Sequence, residues 1–219
     1  MSFQHILFDL DGTLTESEEG IRNGFLFALQ RMGIQDPDPA VLKKMIGPPL
    51  HYSFPTFFGF SEQETEEAVR LFRLYYEDRG ALENRLYPGI SELLKELVDA
   101  GRRCYIVTTK VEHQAVRVAE HFGIRPYLTD LIGSRPDSAE GRKSLLIKEL
   151  LERNGIRDLS QVLMVGDRLY DIEGARDAGV ASAGVLYGYG SRQELEEAGA
   201  DFFCEDAESI SRLVLKNNG

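Results

Sequence analysis

Short apolar runs alternate with amphipathic stretches along most of this 219-residue chain, and few architectures accept that order. Strands are expected at His5–Leu10, Arg103–Thr108, Val162–Gly166 and Ala183–Tyr187, with weaker ones near Asp130–Gly133 and Asp201–Cys204. The clear ones carry β-branched or aromatic residues and are followed by turn formers. Between them lie helical patterns at Ile90–Ala100, Glu112–Phe122, Lys143–Asn154, Asp171–Ala178 and Gln193–Ala198. Gly101, Gly123, Gly155 and Gly179 follow four of these, where helices are commonly capped. Strands alternating with helices predict an α/β fold with a Rossmann-like, doubly wound parallel sheet.

One block breaks the alternation. From Glu16 to Asn84 the sequence holds no convincing strand, only helical patterns such as Gly20–Met32 and Glu62–Arg79. The expected organisation is a core of residues 1–15 and 85–219, with residues 16–84 inserted as a helical cap. The phenylalanines Phe54, Phe57, Phe58 and Phe60 read as the packing of that cap.

In an open α/β sheet, ligands sit at the carboxyl ends of the strands. Here those ends read Asp9 and Asp11, then Thr108, then Asp167. Asp9 and Asp11 are two residues apart on an extended chain, so their side chains share a face, with Leu10 directed into the core. Gly12 lets the backbone turn tightly. Asp167 and Asp171 form a second acidic pair, four apart on a helical first turn. Helix capping accounts for one of these acids, but not for a second strand that also ends in carboxylates. Oxygen-rich groups of this kind suit Mg²⁺, which retains waters and binds substrate phosphate. Thr108 and Thr109 end another strand, where a hydroxyl and free N–H groups can hold phosphoryl oxygens.

The formal net charge of −11 argues against a nucleic-acid partner, since backbone binding needs clustered Lys and Arg. An anionic substrate would then need a local positive charge, which a divalent cation supplies. No apolar run approaches the roughly 20 residues of a membrane span, and the first residues read as a strand rather than a signal peptide. A cytoplasmic location is expected. Cys104 and Cys204 make neither a disulfide framework nor a metal cluster.

Asp9-Leu10-Asp11-Gly12-Thr13, the strand-end Thr108, a later Lys and Gly166-Asp167-x-x-x-Asp171 together resemble the haloacid dehalogenase superfamily of phosphatases. The resemblance runs over essentially the whole chain. Ile46–Leu50 and Gly184–Gly190 are similar to its phosphoglycolate phosphatase-like branch, some of whose members are described as 5′-nucleotidases. The resemblance implies Asp9 as nucleophile and metal ligand, and Asp11 as general acid and then base, with its backbone carbonyl on the metal. It implies Thr108, Thr109 and Lys143 on the phosphoryl group, Asp167 completing the Mg²⁺ site and Asp171 behind it. Lys143 is followed by Ser144 where the branch often has Pro, and Arg142 and Lys148 compete for its role. The cap loop Gly47-Pro48-Pro49 is expected to face substrate, a small phosphorylated metabolite. Asp11 sets phosphoryl transfer above dehalogenation. The absence of Lys from Glu16–Met32 sets aside phosphonate chemistry, while a β-phosphoglucomutase-like isomerase shares every core motif. Neither the substrate nor the oligomeric state can be read from the sequence.

Overall fold

The computed structural model describes residues 2–46, 48–135 and 142–215. The packing of the chain divides it into two compact units, Met1–Glu16 with Leu86–Gly219, and Ser17–Arg85.

The larger unit is built on β1 (His5–Phe8), which leads into a two-residue strand β2 (Thr15–Glu16). In the smaller unit follow α1 (Glu18–Arg31), α2 (Pro39–Met45), α3 (Leu50–Phe58) and α4 (Glu62–Asp78). The short β3 (Arg85–Leu86) pairs with β2 in a sheet of their own. The remaining elements are α5 (Ile90–Asp99), β4 (Arg103–Val111), α6 (Glu112–His121), β5 (Leu128–Ser134), α7 (Lys143–Arg153), β6 (Val162–Gly166), α8 (Leu169–Ala178), β7 (Ala181–Val185), α9 (Arg192–Ala198), β8 (Phe202–Cys204) and α10 (Ala207–Leu215).

Six strands form one sheet in the order β5-β4-β1-β6-β7-β8, all neighbours parallel. β1 lies between β4 and β6, so the winding reverses beside it, and that reversal opens a crevice at the strand ends. Leu7, Tyr105, Val107, Val162 and Met164 pack in one cluster with Ile147 and Leu150 of α7 and Ala175 of α8. The alternate residues, Ile6, Phe8, Cys104, Ile106, Leu163 and Val165, are equally buried, so both faces are covered as a parallel sheet requires. Gly101, Gly123, Gly155 and Gly179 all have positive φ after their helices, as read from the sequence. Burial pushes the thiol of Cys104 up to about 12 and that of Cys204 up to about 11.

The smaller unit is helical. A capping box between Ser61 and Glu64 starts α4, and Asp38 caps α2 with Pro39 at its first position. Phe54 is fully buried, meeting Phe25 edge-on at 5.5 Å and stacking on Phe60 at 5.9 Å. Those rings are packing groups.

On β5, Asp130 accepts hydrogen bonds from Arg153 Nε at 2.7 Å and Asn154 Nδ2 at 2.8 Å. Burial pushes its carboxyl up, but Arg153 and Asn154 outweigh that and hold it at about 2. Such a group contributes stability that is present above its unfolded value near 4 and lost as pH falls towards about 2. A shift of that size corresponds to roughly 2.5 kcal/mol, which the half-exposed Arg153 reduces to about 1 kcal/mol. Asp130→Asn is expected to cost about 1 kcal/mol in urea unfolding at pH 7, a deficit that closes near pH 2.

Candidate active site

β1 stops at Phe8, where the Asp9 amide still donates to Val165 O of β6 at 2.9 Å. Beyond it the chain folds back on Leu10, whose carbonyl accepts from the amides of Leu14 and Thr15, both at 2.9 Å. Leu10 is fully buried, as the D-x-D reading anticipated. Leu7 faces α7 and α8, so side-chain alternation carries Asp9 to the same face.

There it meets Lys143, the first residue of α7. Lys143 Nζ lies 2.7 Å from Asp9 Oδ1, 2.8 Å from Asp171 Oδ1 and 2.9 Å from Val107 O. The lysine is 5% exposed. α7 can approach α8 this closely because Gly174 has no side chain; a Cβ there would lie 2.8 Å from that of Lys143. Of the three basic residues weighed from the sequence, Lys143 is thus the one that reaches Asp9.

Asp167 follows the last residue of β6 and is completely buried. Its Oδ1 accepts from Thr13 Oγ1 at 3.3 Å and its Oδ2 from the Tyr189 amide at 2.8 Å. Asp171 sits in the first turn of α8, where its Oδ2 accepts from the Arg168 amide at 3.1 Å. The sequence reading put Asp167 and Asp171 on one helical turn. Instead the helix begins at Leu169, because Asp171 caps back onto Arg168 and leaves Asp167 in the loop. The two carboxylates converge all the same: Asp9, Asp167 and Asp171 each offer an oxygen within 4.8 Å of the others.

Burial pushes Asp9 up from 3.8 to about 6; Lys143 pulls it down, while Asp171 and Asp11 push it further up. Asp167 is raised well above the ordinary range, first by burial, then by Asp171 and Asp9. Lys143 contacts two of these three buried carboxylates, Asp9 and Asp171, so negative charge in the group is under-compensated. Hard oxygen donors with surplus negative charge are the donor set of a small divalent cation. This triad could hold one.

Asp11 stands apart from the triad, its Oδ2 2.8 Å from Lys110 Nζ. Thr108 is buried, and its Oγ1 accepts from the Lys110 amide at 3.2 Å. Thr109 lies next to it on β4, half-way between that hydroxyl and Lys110 in sequence. In the smaller unit, Pro49 precedes the first turn of α3, with Pro48 before it, and Gly47 lies outside the described residues. His51 pairs with Glu66 at 3.2 Å on an exposed surface.

Two features escaped the sequence reading. One is Lys110, to which the sequence reading gave no role. The other is the loop Gly188-Tyr189-Gly190, read only as a branch signature. A Cβ on Gly188 would fall 2.3 Å from Asp167 Cβ and 2.4 Å from Gly12 O, and one on Gly190 would fall 2.0 Å from Asp167 O. The loop therefore wraps Asp167 with bare backbone, and the Tyr187 hydroxyl ties it to Thr13 O at 2.9 Å. Gly-x-Gly after a strand was the available signal. Gly188→Ala is expected to cost about 1–3 kcal/mol of stability in thermal unfolding, because the Asp167 side chain and the Gly12 carbonyl must yield.

Residues 6–185 match the family described as haloacid dehalogenase-like hydrolase. A 5′-nucleotidase of Pseudomonas aeruginosa is 40% identical over 98% of this chain and 96% of its own. The tyrosine-protein kinase PtkA of Mycobacterium tuberculosis is 37% identical over 85% of this chain and 63% of its own. A phosphoglycolate phosphatase of Vibrio parahaemolyticus is 31% identical over 95% and 93%. Among solved structures, that of a predicted phosphatase from Clostridium acetobutylicum superposes with a TM-score of 0.90 at 35% identity, covering 99% of this chain and all of the other. With its sheet order, its acidic strand ends, the family match and the phosphatase and nucleotidase relatives in agreement, the chain belongs to the haloacid dehalogenase-like hydrolases and is a phosphatase.

Proposed function

We propose that the protein hydrolyses small phosphomonoesters with Mg²⁺, through a phosphoryl group carried transiently on Asp9. The observation that carries this reading is the contact of Lys143 with Asp9 at 2.7 Å inside a buried group of carboxylates. A lone carboxylate would repel a phosphate dianion. Asp9 instead has a fixed cation at its side, which can also draw in phosphoryl oxygens.

Asp9 and Asp167, with the backbone carbonyl of Asp11, would hold Mg²⁺, which supplies positive charge against the phosphoryl oxygens when bound. Asp9 attacks phosphorus in line with the ester oxygen, dividing a very slow hydrolysis into two easier steps. Asp11 gives a proton to the departing oxygen, then takes one from the attacking water, a contribution of typically 10²–10⁴-fold. Lys143, the Thr108 hydroxyl and the Thr109 amide orient the phosphoryl group. Asp171 holds Lys143 beside Asp9, consistent with its 2.8 Å contact.

Two substrate classes come from the relatives. The higher identity to the 5′-nucleotidase, 40% against 31%, favours nucleoside 5′-monophosphates over phosphoglycolate. The test is phosphate release from both, with Mg²⁺ and with EDTA. Mg²⁺-dependent release that is fastest from a nucleoside monophosphate is expected. Release without Mg²⁺ would overturn the metal assignment. Turnover only in the presence of a sugar bisphosphate, without net phosphate release, would point to a mutase.

A further inference from the structure

Lys110 is almost as buried as Lys143, with a side chain 4% exposed, yet the reaction above gives it no task. Its ammonium lies 2.8 Å from Asp11 Oδ2, whose side chain is 21% exposed. The other oxygen, Asp11 Oδ1, is buried without a hydrogen-bond partner among the described residues. Burying a lysine carries a desolvation cost unless a partner offsets it, so this pairing is not an idle surface contact. One Asp11 oxygen is tied, and the other keeps its hydrogen-bonding capacity unused.

We propose that Lys110 is a positioning residue for Asp11: the ion pair anchors Oδ2 so that Oδ1 is the oxygen presented for proton transfer. The inference rests on the phosphomonoesterase reading. In the first half-reaction the phosphorus–ester oxygen bond breaks, a phosphorus–oxygen bond to Asp9 forms, and Oδ1 hands its proton to the departing alkoxide. In the second, water oxygen bonds to phosphorus, Oδ1 takes the water proton, and the bond to Asp9 breaks to release phosphate. Lys110 keeps its own protons throughout. Its effect is geometric, and a misplacement of about 1 Å in such a group can cost about 10²-fold.

The test compares Lys110→Met with wild type on three esters: p-nitrophenyl phosphate, β-glycerol phosphate and phosphoglycolate. kcat/KM reports events up to departure of the leaving group, so the shared second step does not mask the comparison. Nitrophenolate leaves as a stable anion and has little need of a proton. The expected result is a fall of about 10²-fold on both alkyl esters and of less than about tenfold on the aryl ester. A merely structural role would lower all three alike, and that result overturns the inference. A loss confined to phosphoglycolate would mean that Lys110 contacts the substrate carboxylate, which also overturns it. Residual aryl ester turnover reports a folded site, and Lys110→Gln carries the same comparison should the Met variant fail to fold. Asp11→Asn separates the two readings. If it shows the alkyl–aryl split and Lys110→Met does not, the Lys110 inference alone falls. If Asp11→Asn shows no split, the acid–base role of Asp11 falls and the Lys110 inference with it; if wild type releases phosphate from neither these esters nor a nucleoside 5′-monophosphate, the phosphomonoesterase reading falls as well.

Discussion

Asp9→Asn is expected to lower phosphate release at least ~10³-fold while leaving the fold intact. Asn has almost the same shape but is neutral and a poor nucleophile, so the phosphoryl group has no acceptor. Its effects on stability oppose one another. The substitution removes a carboxylate that burial holds near 6, together with its repulsion by Asp171 and Asp11. It also takes from Lys143 one of two carboxylate partners, the other being Asp171 at 2.8 Å. The melting temperature should therefore move by no more than a few degrees, roughly 1 kcal/mol in either direction. Phosphate release and thermal unfolding measured on one preparation check both halves. A loss of activity under tenfold in a folded variant would remove Asp9 from the nucleophile's role.

The largest stability effect is expected from Lys143→Met, about 3–5 kcal/mol near pH 8. Removing one partner of a buried ionic cluster leaves the others uncompensated, and here both Asp9 and Asp171 lose the same ammonium. The pH dependence has a definite sign. Burial already raises Asp9 to about 6, above its ordinary 3.8, and the loss of Lys143 removes the main pull downward. A carboxyl raised in the fold binds more protons folded than unfolded between those two values. Its stabilising contribution is whole below about 4 and is lost as pH rises through about 6. Deleting the lysine lifts the upper limit further, so the variant's deficit should be smallest at pH 5 and largest at pH 8. Denaturant unfolding at both values in EDTA checks this. Asp171→Asn in the same chain should recover part of the loss, since the two sites are in contact. Equal deficits at pH 5 and pH 8 would show that lost packing, not charge, explains the effect.

How far the sequence could be read depended on the range of the interaction. Alternation of apolar and amphipathic segments specified the parallel sheet, because burial on both faces leaves strands such as Val162–Gly166 apolar throughout. Carboxylates at the ends of β1 and β6 were visible for the same local reason: an acid directly after an apolar strand is conspicuous. Helix ends were legible through glycine, whose positive φ other residues avoid. Boundaries were not. β4 runs on to Val111 and so carries Lys110 within the strand, and α8 starts at Leu169.

The site itself needed the third dimension. The family resemblance pointed to Lys143, which opens its helix, but left Arg142 and Lys148 as competitors. Only the approach of α7 to α8 at Gly174 brings the Lys143 ammonium to Asp9, 134 residues away. The Gly188 loop binds Asp167 through a backbone amide, and an amide carries no sequence signal of its own. Lys110 and Asp11 are 99 positions apart and meet because β1 and β4 are paired in register. By itself the sequence determined the sheet and the acids at the strand ends, since apolar periodicity and strand termini are local properties of the chain. The tertiary structure alone decided which cation serves which carboxylate, because electrostatic pairing depends on distance through space, and the fold sets that distance.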